Sequence, residues 1–94
     1  MPATIRPVAP GDEAAWSALF VAYGEFYQTS FGPEVVDAVW QWLLDNQHPV
    51  SCMVAEVDGA VVGFAHLRRQ DNTFTASPNW FLDDLFVAPE HRGR

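Results

Sequence analysis

The chain has 94 residues, with twelve carboxylates against five arginines and no lysine, for a formal charge of −7. That length holds one domain at most, and 49% apolar residues with seven Phe and four Trp are ample for a core, which excludes a disordered chain. The negative field repels phosphate backbones and attracts cations, so it argues against nucleic acid as a partner and favours an amine.

Taken in chain order, residues 4–8 predict a short strand that ends among Pro7 and Pro10. Over residues 11–27, Trp16, Leu19, Phe20, Tyr23, Phe26 and Tyr27 recur at spacings of three and four, which is one face of a helix. Asp12 and Glu13 fall in its first turn, where they complement the helix dipole. Residues 30–33 break the pattern, and Pro33 suits the first position of a second helix running to about residue 46. Its expected inward residues are Val35, Val36, Val39, Trp40, Leu43 and Leu44. Strands are expected over 50–57 and 60–68, joined by Asp58-Gly59, a dipeptide that accepts the positive φ of a two-residue hairpin turn. Gly63 inside the second of these signals a bulge or a close backbone approach. A polar loop is expected over 70–78 and a last strand over 79–87. The resulting order is β-α-α-β-β-β, an α/β (α+β) arrangement with helices packed on a mixed, mainly antiparallel sheet.

The single Cys52 cannot form an internal disulfide, and a buried, inert thiol is its expected state. No apolar run reaches the roughly 20 residues that a membrane span needs, and the first residues lack the apolar stretch of a signal peptide. A cytoplasmic protein with no membrane partner is the expectation. His48, His66 and His91 lack metal-ligand spacing, so no metal site is expected.

Asp83 and Asp84 are the sharpest chemical feature, because two adjacent carboxylates in an apolar strand are costly unless solvated, paired or useful. Successive side chains point to opposite faces, so both serve one site only if a bulge intervenes. Beyond them the chain reads Leu85-Phe86-Val87-Ala88-Pro89-Glu90-His91-Arg92-Gly93-Arg94, an apolar strand leaving through a proline into a basic, glycine-containing segment. Such a segment approaches an anion-binding turn.

This segment closely resembles the cofactor motif of the GCN5-related N-acetyltransferases, Leu-x-Val-x-Pro-x-x-Arg-Gly-x-Gly-x-Gly, with Leu85, Val87, Pro89, Arg92 and Gly93 matching in position. The resemblance extends upstream, with Ile5-Arg6-Pro7 similar to the family's first strand and residues 54–56 and 61–65 similar to the next two. The chain is thereby identified as the N-terminal part of one N-acetyltransferase domain, ending before the cofactor-binding helix, and is expected to be inactive by itself. The resemblance implies acetyl-CoA as co-substrate, with backbone groups of Leu85, Phe86 and Val87 pairing with the pantetheine arm and Arg92, Gly93 and Arg94 facing its phosphates. It implies a primary amine as acceptor. Asp83 takes the place of the acid in relatives reading Leu-Glu-Asp-x-Phe-Val, which makes it the expected catalytic carboxylate, against the alternative of a solvated strand-end acid.

Tyr23, Tyr27, Glu25 and Asp84 are the expected substrate-binding residues. The pattern of Trp16, Leu19, Tyr23, Phe26 and Tyr27, followed by Phe31, is similar to the branch holding histone, D-amino-acid and polyamine acetyltransferases. Trp16, Phe20 and Phe26 are assigned to the core. The reading of a different class is a noncatalytic module that associates through the open edge of its last strand, with itself or with a complementary C-terminal fragment. A third is an acyl-CoA-binding sensor with the fold but no transfer.

Overall fold

The computed structural model describes residues 3–92. Its elements are β1 (Thr4–Pro7), α1 (Glu13–Phe26), α2 (Pro33–Leu44), β2 (Val50–Val57), β3 (Ala60–Asn72) and β4 (Ser77–Val87), with short 3-10 turns at Pro10–Asp12 and Pro89–His91. The four strands form one antiparallel sheet in chain order, β1-β2-β3-β4. The order of elements is that expected from the sequence, and the sheet is antiparallel throughout the described residues.

Both helices cover one face of the sheet. Trp16, Leu19 and Phe20 from α1, and Val36 and Trp40 from α2, meet Cys52, Val54, Phe64 and Phe86 from the strands in a single core. Trp16 is its centre, with 0% exposure and ring centroids 5.0 Å from Phe20 and 5.2 Å from Trp40. Aromatic contacts at such distances add to the area they bury. The opposite face carries Ile5, Leu82 and Leu85, all more than half exposed.

The β2–β3 hairpin forms as expected. Asp58 and Gly59 both take positive φ, 52° and 82°, as a two-residue type I′ turn requires. Gly63 fulfils both of its expected roles. The register slips between Ala55 and Glu56 opposite it, and an added Cβ would lie 3.0 Å from the Phe86 carbonyl oxygen.

The structure corrects the sequence reading at several points. Residues 70–78 are not a loop: β3 runs on to Asn72 and β4 begins at Ser77, so the two form a ribbon that extends beyond β2. A two-stranded ribbon wetted on both faces has no buried side to impose alternation, so its polar residues read as a loop. Pro78 is tolerated because β4 is an edge strand. Asp12 does not sit in the first turn of α1. It is buried in the preceding 3-10 turn, with its carboxylate 2.8 Å from Arg6, whose hydrogen bonds hold its pKa below the ordinary value. In α2, Val35 and Leu44 are exposed, and so are Phe26 and Tyr27 at the end of α1.

Candidate active site

At the C-terminal end of β4 a cleft of about 250 Å³ lies against the end of α1, lined by Tyr23, Phe26, Tyr27, Leu85, Phe86, Val87 and Arg92. The helical spacing that puts Tyr23, Phe26 and Tyr27 at one end of α1 therefore serves a wall rather than the core. Phe26, assigned to the core from the sequence, is 62% exposed and faces this cleft.

The register of β4 decides which backbone groups reach the cleft. The Ala88 N–H donates to the Val62 carbonyl, and Gly63, Phe64 and Ala65 face Val87, Phe86 and Leu85. In an antiparallel ladder, hydrogen-bonding direction alternates along the strand. The polar backbone groups of Phe86 therefore point to β3, while those of Leu85 and Val87 point to the open edge. Of the three residues expected to offer backbone partners, Leu85 and Val87 face the edge, with the Val87 carbonyl already accepting a hydrogen bond from Arg92. Phe86 instead contributes a ring that is 6% exposed.

Arg92 closes the end of the cleft. Its Nε donates to the Val87 carbonyl at 2.8 Å, and its guanidinium carbon lies 4.9 Å from the Phe86 ring centroid and 5.5 Å from that of Phe26. A planar guanidinium is well suited to such stacking. Gly93 and Arg94 lie outside the described residues.

One residue slip brings the two acids together. His66 pairs with Asp84 but Leu67 pairs with Leu82, so Asp83 is the extra residue of a β-bulge. Leu82 and Leu85, opposite Leu67 and Ala65, lie on the bare face of the sheet, and both carboxylates between them turn to the helix-bearing face. Asp83 there takes an ion pair from Arg68, Nε to Oδ2 3.0 Å, with both side chains well exposed. Asp84 takes two hydrogen bonds: Tyr23 O–H to Oδ1 at 2.6 Å, and His66 Nδ1 to Oδ2 at 3.0 Å. The Tyr23 phenol is pushed up to about 12, first by its bond to the Asp84 carboxylate and then by burial. Neither Asp83 nor Asp84 lines the cleft itself, Asp84 being joined to it through Tyr23, and Glu25, exposed on α1, does not line it either.

His66 was not singled out from the sequence. It is 3% exposed, with Nε2 3.0 Å from the Trp16 indole nitrogen. Burial holds its pKa below the usual histidine value, against the opposing pull of Asp84. The signal was present in the alternation Val62, Phe64, His66, which continues an inward-facing row with a polar residue. Cys52 is buried and unpaired, and burial pushes its thiol up to about 12, an inert state. Among the described residues no group of three His, Cys, Asp or Glu side chains converges as metal ligands, and no helix is long and apolar enough to cross a membrane.

A family model described as the acetyltransferase (GNAT) family matches residues 16–94. The chain is 32% identical over 88 residues to an uncharacterized N-acetyltransferase, YhfO, of Bacillus subtilis (strain 168), covering 94% of this chain and 58% of that protein. It is 26% identical over 90 residues to the D-amino-acid N-acetyltransferase HPA3 of Saccharomyces cerevisiae, covering 94% of this chain and 56% of that one. The chain thus spans a little over half the length of these curated relatives. Among solved structures, a ribosomal-protein-alanine N-acetyltransferase from Brucella melitensis matches 100% of the chain and 62% of its own, with TM-score 0.81 and 20% identity. AAC(6')-Iy, solved in complex with a bisubstrate analogue, CoA-S-monomethyl-acetylneamine, matches 100% and 63%, with TM-score 0.80 and 21% identity.

Proposed function

Because the chain belongs to the GNAT family of acetyltransferases, we propose that its cleft serves acetyl transfer from acetyl-CoA to a cationic primary amine. The observation that carries this reading is the bulge at Asp83, which sets two carboxylates on one face of β4, one of them bonded to Tyr23 of the cleft wall, just before Leu85 and Val87, whose backbone groups point to the sheet edge. Bound acetyl-CoA supplies the acetyl thioester. Leu85 and Val87 offer N–H and C=O groups in the spacing an extended pantetheine arm needs to add as a strand. An outward N–H of the same strand is a donor for the thioester carbonyl, where charge develops. Arg92, released from the Val87 carbonyl, has the reach and charge for phosphate, together with the backbone of Gly93 and Arg94.

On the amine side, Asp84 binds the ammonium and Asp83 accepts its proton, directly or through water. Tyr23 and Tyr27 supply aromatic faces that suit a cation. The formal charge of −7 draws cationic acceptors toward the site. The cytoplasm is the proposed compartment, in keeping with the unpaired Cys52. The test is an assay of free thiol release by the protein at the length its gene encodes, with acetyl-CoA and a panel of primary amines. Release that depends on a cationic amine is expected; none with any amine would sink the reading.

The second reading, association through the edge of β4, is favoured by one observation: Trp80, Leu82 and Leu85 are 58%, 57% and 60% exposed along a strand with no outer neighbour among the described residues. Sedimentation of the 94-residue chain separates the two. A mass that rises with concentration supports edge pairing, and a monomer at high concentration removes it.

A further inference from the structure

The two acids of the bulge are held by partners of different charge. Asp83 is compensated by the Arg68 guanidinium. Asp84 is held by the Tyr23 hydroxyl and the His66 ring, and what His66 offers is fixed from behind. An indole nitrogen can only donate, so the Trp16 Nε1–H, 3.0 Å away, makes His66 Nε2 the acceptor. The proton of the neutral ring is then on Nδ1, the nitrogen 3.0 Å from Asp84 Oδ2. Trp16 is 0% exposed and His66 3%, whereas the Asp84 side chain is 30% exposed. The row therefore runs from the centre of the core to the surface, and each member donates toward the carboxylate.

We propose that His66 is a positioning residue for substrate: locked by Trp16 as the Nδ1–H tautomer, it orients Asp84 without neutralising it, leaving a full negative charge for an ammonium group. This rests on the reading of the cleft as an amine site. A second arginine in place of His66 would cancel the charge that selects the amine, and the opposite tautomer would set a ring lone pair against a carboxylate oxygen. A neutral, singly oriented donor avoids both. Besides Asp84, the titratable and charged groups around His66 are Tyr23 on α1, Cys52 opposite it on β2, Asp83 on β4 and Arg68 on its own strand.

The experiment has two arms on the protein at the length its gene encodes. Nitrogen-15 NMR of labelled histidine at pH 7 is expected to show His66 protonated at Nδ1 only. An Nε2–H tautomer or an imidazolium there overturns the proposal. Calorimetric titration with 1,4-diaminobutane then compares His66→Phe, which keeps the ring volume without a donor, with His66→Asn, which keeps a donor near the Nδ1 position. His66→Phe is expected to weaken diamine binding about tenfold with acetyl-CoA affinity unchanged, and His66→Asn to recover most of the loss. Equal effects of the two variants, or no diamine binding by the parent protein, overturn it. Because this arm reads binding, a protein that binds the diamine but transfers no acetyl group would refute the enzymatic reading while leaving the role of His66 intact.

Discussion

His66 and Asp84 face each other across β3 and β4, Nδ1 to Oδ2 3.0 Å, at the last registered pair before the sheet slips by one residue. The slip turns the neighbouring Asp83 to the same face. The buried imidazole thereby ties the centre of the core to the β4 edge of the sheet.

This burial has a pH consequence. His66 has a folded pKa below its ordinary value of about 6.5, so below that pH the unfolded chain binds more protons than the folded one. Stability is then full above the unfolded pKa and falls as pH drops toward the folded pKa, with a slope of at most about 1.4 kcal/mol per pH unit for one proton. Denaturant unfolding between pH 7.5 and 5 is expected to show this decline, and to show less of it in His66→Asn. Equal slopes in both proteins would assign the decline to other groups.

The two acids are expected to separate kinetically in the protein at the length its gene encodes. Asp83→Asn should lower turnover by about 100-fold, the scale of a lost general base, with the acetyl-CoA KM unchanged. Asp84→Asn should act on the amine KM instead, raising it about tenfold as a charged hydrogen-bond acceptor is lost. Turnover of Asp83→Asn equal to the parent's across a pH series would take Asp83 out of the mechanism.

Gly63 lets β3 and β4 approach. A Cβ there would lie 3.0 Å from the Phe86 carbonyl oxygen, which cannot move without shifting the ladder, and 3.2 Å from the Val87 side-chain methyl Cγ2. Gly63→Ala is expected to cost about 1–3 kcal/mol, the range for overpacked sites. Chemical denaturation measures it, and an unchanged midpoint would mean that β4 yields at no cost.

Arg92→Gln removes the charge that stacks on Phe86 and Phe26 but keeps a donor for the Val87 carbonyl. Its expected effect is an acetyl-CoA KM raised about fivefold, most marked at low salt, with little change for the amine. Equal losses for both substrates would instead give Arg92 a role in holding the shape of the cleft.

Much of this architecture is set by local chemistry and was legible in the chain. Asp58-Gly59 dictates its turn, the limits of β2 follow from its flanking turns, and Trp16, Leu19, Phe20, Val36 and Trp40 announce the buried helix faces by their spacing. The family also follows from residues 85–93, because that motif is contiguous. Pairing across strands decided the rest. Alternation alone puts Asp83 and Asp84 on opposite faces; the bulge reverses this, and a bulge belongs to the register of two strands. Phe26 left the core because it lines the cleft between the end of α1 and β4. His66 gained its role from Trp16, 50 residues away in sequence, and from Asp84, 18 away. A hydrogen-bonding ring is defined by the partners that tertiary folding brings to its two nitrogens, and no local pattern along the chain records them.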